Sequence, residues 1–587
     1  MLEFRTHKGY SVWGKGPAIR IAAAATAIAV AALFFRASLL PMVLLDAVRI
    51  AEYVFILCTA IALTALYAGF AERLRLHRVF KIPGLILISA ALLFCGVYKL
   101  GMHQFGAWDE DLLVHAGTYY AQGFKPYIGF DCTMPPFFMA CVRCGVKLLG
   151  LQWSSFTLIA ATFSALTSLW IFALLRRCAI PSHWALAITI GAEMSTMLVI
   201  PFWWYNNSSS VAVVLLCLSV LACLYPQKSL LPWVSLSLSL AMAITSKPNI
   251  ATACLMPLVL LATKDKVQWA KIVAASAGAL GIARLICFVA QMPPIAVLHS
   301  YAEVAKLRGT PFLLLREMRW PEQQFQIFFI VVSAICFAAP LAIALKRRSI
   351  PWPLLAVCTI AALTSFAMAV TNSEMKSSDL SPLLVAAAVL WLQPWEKMQP
   401  GAGRKTVLVG LLSLFMVMSS FYGVIHLRIL NIGPGMYYEP LQTQTIQSGF
   451  FAGLEAGPRL QRVLAQTSEV LSMYPSQRVF FGPRMEFAYA AFKKPLAPGM
   501  PLVWDAGNLF AAKRLPQFLL TFQQRDPDLL IFLKDDYTRM GLVATYIETA
   551  ETYRHTDQFN ELTVYVRNRS IPVTYITEPA SDPTSKR

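Results

Sequence analysis

Apolar residues in this chain run on without interruption instead of recurring at helical or alternating spacing. Such runs occupy 17–36, 50–70, 83–101, 155–175, 184–202, 210–226, 229–246, 249–263, 268–291, 324–345, 351–370, 381–395 and 406–426. Each is long enough, or nearly so, to cross a bilayer, which takes about 20 helical residues. The pattern predicts a polytopic α-helical membrane protein with about thirteen transmembrane helices. Composition agrees: of 587 residues, 57% are hydrophobic and only 14% charged, against about 25% charged in soluble proteins. The first run follows Arg5, Lys8, Lys15 and Arg20, as a signal peptide would. It lacks a small-residue cleavage site and reads as a retained anchor.

Charge then orients the runs. The net charge of +19 comes largely from basic clusters in short loops: Arg73/Arg75/Arg78/Lys81, Arg176/Arg177, Lys264/Lys266, Lys346/Arg347/Arg348 and Arg404/Lys405. By the positive-inside rule these loops and the N-terminus are cytoplasmic, and the charge is a topology signal that calls for no nucleic acid. Residues 136–150 are apolar but short, and they carry Arg143 and Lys147. Counting them as a crossing would put Arg176 and Arg177 outside. They are therefore expected to lie on the outer surface as an interfacial helix, charges toward the headgroups. The acidic stretch near residue 109, the loop 203–210, the corner at Lys247, and the loops 292–323 and 372–380 then all face outward.

Beyond residue 427 the pattern changes. Gly433-Pro434-Gly435 marks a linker, 455–474 reads as an amphipathic helix, and Arg478–Phe481, Asp528–Leu533 and Leu562–Val566 read as strands. Helical stretches around 508–524 and 536–548 alternate with them, which predicts a small α/β domain. An odd number of spans places it outside, and the last stretch of the chain reads as a frayed tail. The expected divisions are 1–82, an N-terminal transmembrane pair with a basic cytoplasmic loop; 83–426, a membrane domain with an outer loop 102–154; and 427–587, the extracytoplasmic α/β domain. The 12 cysteines all precede residue 360 and most sit in apolar runs as small hydrophobes. Cys141 and Cys144 have CxxC spacing but no second pair or histidine beside them, so no zinc site is expected there.

Candidate chemistry gathers at Trp108-Asp109-Glu110-Asp111, directly after a predicted span. Acids cost several kcal/mol each in hydrocarbon, so this run is expected at a water-facing membrane surface. It supports three roles: a general base toward an acceptor hydroxyl, a shared site for a divalent cation such as Mg or Mn at Asp109 and Glu110, or a helix start with a solvated acidic face. Trp203-Trp204-Tyr205 reads as an aromatic belt at the membrane interface. Loop 292–323 mixes Pro311–Leu315 with Lys306, Arg308, Arg316 and Arg319, an amphipathic pattern suited to a lid or a passive surface helix. Asp535-Asp536-Tyr537 reads as a turn and helix cap.

After the acidic run come His115-Ala116-Gly117, Tyr119-Tyr120, Gly123-Phe124-Lys125-Pro126-Tyr127 and Asp131-Cys132-Thr133-Met134-Pro135-Pro136; Thr245-Ser246-Lys247-Pro248 follows later. In these motifs the chain resembles the GT-C class of membrane glycosyltransferases, in particular bacterial members similar to the aminoarabinose transferase and the protein O-mannosyltransferases. It differs in having about three helices before the acidic loop instead of one. It also has Thr133-Met134 where a Lys or His often precedes the Pro-Pro, Ser-Lys-Pro-Asn in place of Thr-Lys-Gly-Pro, and Glu374-Met375-Lys376 where an Arg-Tyr is usual.

The resemblance implies a GT-C-like fold and transfer of a sugar from a polyprenyl-phosphate donor to a glycan, lipid or protein acceptor. It implies Asp109 or Glu110 as the catalytic base, with Asp111 and Tyr127 among the substrate-binding residues. A lipid phosphate at the membrane surface needs fixed cations, and Lys247, Arg308 and Lys376 lie in outward loops or corners. A polytopic transporter or lipid flippase is the main alternative. It calls for ionisable groups near the midplane on broken helices, whereas these spans are nearly free of charge. A non-catalytic assembly or sensor protein is a third reading, in which the acidic loop is dispensable.

Overall fold

The structure is a computed structural model. It describes residues 78–103, 109–198, 200–225, 229–262, 266–308, 351–371, 377–392, 443–475, 478–504, 510–534, 540–549, 551–556 and 558–568, with a few isolated positions between them. The expected spans 17–36, 50–70 and 406–426, most of 324–345, the linker at 433–435, Glu374–Lys376, Asp535–Tyr537 and the C-terminal tail lie outside the described residues.

Every other apolar run is a helix. In chain order these are α1 (Arg78–Gly101), α2 (Asp109–Ala121), α3 (Pro136–Leu149), α4 (Trp153–Arg177), α5 (Ser182–Glu193), α6 (Tyr205–Leu224), α7 (Leu231–Ile244), α8 (Lys266–Val289), α9 (Pro294–Arg308), α10 (Trp352–Thr371) and α11 (Ser377–Leu392). Among the described residues five helices are long and apolar enough to cross a membrane: Gly84–Gly101, Trp153–Arg177, Tyr205–Leu224, Val267–Val289 and Trp352–Ala369. The chain is a multi-pass helical membrane protein. Residues Pro248–Ala262 form a 3-10 helix of 15 residues. At about 2.0 Å per residue it extends about 30 Å, the thickness of a hydrocarbon core, where an α-helix of that length would fall short.

Helix α6 is the axis of the bundle, with 94% of its span buried against 28% for Val267–Val289. The apolar side chains of Leu280, Leu285 and Phe288 on α8 point away from the protein, as lipid contact requires. One acid breaks the expectation of nearly charge-free spans. Glu193, fully buried at the end of α5, accepts hydrogen bonds from Ser164 (2.7 Å) and Thr167 (2.6 Å) on α4. A π-helical turn, Met194–Leu198, follows it.

Local signals set the loop elements. Three acids in the first turn of α2 complement the helix dipole. Gly123, at φ 85°, closes its other end, with its N–H on Tyr120 O (3.1 Å) and the Phe124 N–H on Tyr119 O (3.0 Å). Pro136 opens α3 at the first helical position, where a missing N–H costs nothing. Helix α3 has 14 residues. It buries Phe138, Met139 and Val142, and Arg143 donates to the Val289 carbonyl at the end of α8. That charge was expected to face headgroups; it caps a helix instead.

The C-terminal residues form an antiparallel pair, β1 (Gln444–Thr445) with β2 (Glu455–Ala456), and a four-stranded mixed sheet. The sheet strands are β3 (Val479–Phe481), β4 (Leu529–Leu533), β5 (Tyr553–Thr556) and β6 (Leu562–Arg567), in the order β3-β4-β6-β5. β3 runs parallel to β4; β6 is antiparallel to both β4 and β5. Helices α12 (Pro458–Met473), α13 (Phe487–Ala491), α14 (Leu515–Arg525) and α15 (Leu542–Thr549) surround it. Strand alternation sorts the core. Val479, Phe481, Leu529, Ile531 and Leu533 pack with Leu460 and Val463 of α12, while Phe480, Leu530 and Phe532 pack with Phe518 and Phe522 of α14. Both faces of β4 are covered, which is why its sequence is apolar throughout. The first of these cores continues without a break into Phe105, Leu113, Phe138, Trp153 and Trp203. The α/β unit and the loop 102–154 thus share one core.

Close approach of α1 to the 200–204 segment depends on Gly101. A Cβ there would meet the Pro201 carbonyl at 2.2 Å and Thr157 Cγ2 at 2.7 Å, whereas at Gly281 it would meet nothing within 4 Å. Gly101→Ala should lower stability by roughly 1–3 kcal/mol and Gly281→Ala should not. Thermal unfolding in detergent measures both, and equal midpoints would refute this packing.

Candidate functional site at the Lys247 corner

Helix α7 ends at Ile244, and the 3-10 helix starts at Pro248. Between them the chain turns, since a residue before proline is pushed out of the α region. Two contacts pin the turn. The Phe137 N–H at the start of α3 donates to the Thr245 carbonyl (3.1 Å), and the Tyr301 hydroxyl on α9 donates to the Ser246 carbonyl (2.6 Å). Lys247 is only 8% exposed, and its Nζ sits 4.5 Å from the centre of the Tyr205 ring. A desolvated cation over an aromatic face gains about 2 kcal/mol. The ammonium is therefore held inside the protein, and does not reach out to headgroups. Nothing in spacing marks Tyr205 or Tyr301, since tyrosines are routine at span ends.

Tyr127 reaches the same region. Its backbone is left-handed, at φ 65°, a conformation costing about 1–3 kcal/mol for a bulky residue. The tight turn from Lys125 to Phe130 imposes it, with the Tyr127 N–H on Phe130 O (2.9 Å) and the Gly129 N–H on Lys125 O (2.8 Å). The Tyr127 hydroxyl faces that of Ser300, next to Tyr301. Trp203 and Trp204 are buried, not spread along an interface. Trp203 Nε1 donates to the Phe138 carbonyl (3.1 Å) and the two rings pack on Phe137 and Phe138. The expected aromatic belt is core packing between α3 and the bundle. Arg308 is the last residue of α9; Lys376 lies outside the described residues.

The acidic run does not face water as a unit. Asp109 is half-buried, whereas Glu110 and Asp111 are buried. Asp111 accepts backbone N–H groups from Glu486 (3.2 Å) and Phe487, at the start of α13 in the α/β unit. Its carboxylate holds that unit. Successive helical residues point about 100° apart, so Asp109 and Glu110 diverge. Among the described residues no group of three or more His, Cys, Asp and Glu side chains is placed to hold a metal ion. Ten residues of helix, about 15 Å, separate Glu110 from Tyr120, whose hydroxyl donates to the Ala290 carbonyl (2.6 Å).

Around Asp111 the interface is dense. Burial pushes its carboxyl up to about 6, against the pull of its hydrogen bonds, and burial together with Asp111 pushes the adjoining Glu486 up as well. One turn on, His115 bonds through Nδ1 to the Leu502 carbonyl (3.0 Å), and burial lowers it to about 4. Further along, Arg514 Nη1 donates to both oxygens of Asp131 (3.0 Å each) and lies 4.0 Å from Glu303 of α9. The backbone at Asp131 also pairs with Met500 and Leu502.

No family model matches the chain, and neither does any curated protein. Among solved structures the chain is similar to ArnT from Cupriavidus metallidurans bound to undecaprenyl phosphate. Identity is 13% and the TM-score 0.50, over 83% of this chain and 98% of that one. It is also similar to the same protein in the apo state (14%, TM-score 0.46, 83% and 98%) and to the Archaeoglobus fulgidus oligosaccharyltransferase in complex with Zn and sulfate (10%, TM-score 0.44, 83% and 74%). At such identity the first likeness is one of fold. The chain has a GT-C-like fold.

The carboxyl pair makes the docking of the α/β unit depend on pH. Asp111 is raised, so its contribution is present below the ordinary carboxylate value near 4 and is lost as pH rises through about 6. His115 is depressed and runs the other way, its contribution being lost as pH falls from about 6.5 toward 4. Asp111→Asn mimics the protonated acid and isolates the first trend. The unfolding midpoint of Asp111→Asn minus that of wild type should rise between about pH 4 and pH 7. A difference that stays flat would mean that Asp111 is ionised throughout.

Proposed function

We propose that the chain is a membrane glycosyltransferase that moves a sugar from a polyprenyl-phosphate donor to an acceptor hydroxyl. The observation that carries this reading is the buried Lys247 ammonium at a helix-end corner, in a fold like that of a protein solved with undecaprenyl phosphate. An amine kept out of water beside a membrane-spanning bundle is suited to an anion that arrives from the bilayer. A lipid phosphate is such an anion.

The site works on the outer face of the plasma (inner) membrane in this reading. The α/β unit packs at the Trp153 end of α4, where the Trp153 N–H bonds to the Phe450 carbonyl (3.0 Å). The basic pair Arg176 and Arg177 ends the same helix at its far side. If that pair is cytoplasmic, the Lys247 corner and the α/β unit are extracytoplasmic and the N-terminus is cytoplasmic.

In the reaction the acceptor oxygen attacks the anomeric carbon and the bond from that carbon to the phosphate oxygen breaks. The phosphate leaves with the bonding pair, the configuration inverts, and the hydroxyl proton passes to a carboxylate. Asp109 is the base, because it is the least buried of the three acids and Asp111 is engaged in docking. Lys247 stabilises the charge that builds on the leaving phosphate. Arg308 ends α9 about 10 Å along the helix from Tyr301, and with Lys376 supplies further positive charge.

Lys247→Met should weaken binding of undecaprenyl phosphate by roughly 1.5–3 kcal/mol, one to two powers of ten in Kd. Asp109→Asn should leave that affinity intact while abolishing loss of label from radiolabelled polyprenyl-phosphate sugars. Wild-type affinity in a folded Lys247→Met protein would move the phosphate elsewhere. Full turnover in Asp109→Asn would remove Asp109 as the base.

A further inference from the structure

Glu193 has no part in the reaction proposed above. It lies at mid-depth of the bundle. The 12 residues of α5 lead up to it from the end of α4 that bears Arg176 and Arg177, about 16 Å of helix against a hydrocarbon core of about 30 Å. Helices α1, α4 and α11 pack on α5, and α6 joins them at the π-helical turn Met194–Leu198. The charged side chains described on these helices are Lys99 on α1, Arg176 and Arg177 on α4, and Asp379 on α11, and none of them bonds to Glu193. Among the described residues its polar partners are the hydroxyls of Ser164 and Thr167. An ionised carboxylate with no cation beside it is among the costliest groups a membrane interior can hold.

Taken singly, either hydroxyl can donate to the acid. Taken together, the contacts need one proton more than the hydroxyls own. Ser164 Oγ lies 2.7 Å from Glu193 Oε2, Thr167 Oγ1 lies 2.6 Å from Glu193 Oε1, and Thr167 Oγ1 also lies 2.8 Å from the Phe163 carbonyl. Each contact is at hydrogen-bond distance and needs a hydrogen between its two oxygens. A hydroxyl has one. Thr167 can share its proton between the Phe163 carbonyl and that of Ser164 (3.2 Å), both on its own helix, but cannot point it at α5 as well. Two hydroxyls therefore serve two contacts, and the third proton belongs to Glu193. We propose that Glu193 is a proton-binding site inside the membrane domain: a neutral carboxylic acid that accepts from Ser164, donates to Thr167, and so locks α5 to α4 where the π-helical turn begins. Oxygens in hydrogen-bond contact leave no room for a sodium ion between them, so the proton is the occupant that fits.

Full-length protein in detergent serves for the test. The infrared spectrum of wild type minus that of Glu193→Gln should show the C=O stretch of a carboxylic acid at about pH 6 and again at about pH 8, both well above the ordinary glutamate value of about 4.3. Carboxylate bands in its place would overturn the proposal. A glutamine amide offers the same acceptor and donor as the neutral acid, so Glu193→Gln should unfold at the wild-type midpoint. A variant that unfolds early, or does not fold, would mean that the charge was needed, and that too overturns the proposal. Thr167→Val keeps the side chain's shape but removes the acceptor of the acid's proton. It should move the C=O stretch to higher frequency, and Thr167→Ser should restore it; a stretch that does not move would deny the bond. Wild type should also unfold at one midpoint in sodium chloride and in choline chloride of equal ionic strength. A sodium-specific rise that Glu193→Gln abolishes would make this a cation site instead.

Discussion

An ammonium group taken out of water loses hydration worth several kcal/mol, and only close partners return it. Lys247 is taken out almost completely. Its position therefore constrains what surrounds it. The Tyr205 ring lies under the charge, and that ring is placed by the start of α6, the most buried of the five long apolar helices among the described residues. The turn bearing Lys247 is fixed by α3 on one side and α9 on the other. Four elements thus converge on one cation, and each would have to shift for the charge to escape to solvent.

The second organising feature is the core shared between the loop 102–154 and the α/β unit. Helix α2 reaches into that unit through Asp111 and His115, and the 125–131 segment does so through Asp131 and its backbone. Arg514 links the unit to Glu303 on α9, the helix that also carries Ser300 and Tyr301. Movement of the α/β unit would accordingly be felt at Tyr127 through the turn and at the corner through α9. The backbone bonds from Gly129 to Gly499 and from Asp131 to Met500 and Leu502 tie the turn at Tyr127 to the unit.

Much of the membrane architecture was legible in the chain, because hydrocarbon demands uninterrupted apolar helices and leaves that demand written in the residues. The run Asp528–Leu533 was legible as a strand for the same reason, both faces being covered. The corner was legible through Lys247-Pro248. What escaped depended on partners remote in sequence. Asp111 looks like its two acidic neighbours until residues 375 and 376 positions away bond to it. Trp203 and Trp204 look like an interfacial belt because composition does not reveal the Phe137 and Phe138 rings that bury them. Glu193 is a lone acid in an apolar run, explained only by two hydroxyls on the helix before it.

In the function proposed, Lys247 and its aromatic surround receive the head of a polyprenyl phosphate. The most direct measurement is photo-cross-linking of the purified protein with a diazirine placed on the first isoprene unit of undecaprenyl phosphate, followed by peptide mass spectrometry. The account predicts adducts within 203–206, 245–250 and 297–301, competed by unlabelled undecaprenyl phosphate. Adducts confined to the outward face of α8, at Leu280, Leu285 and Phe288, would contradict it, since they would mark only the lipid that surrounds any membrane protein.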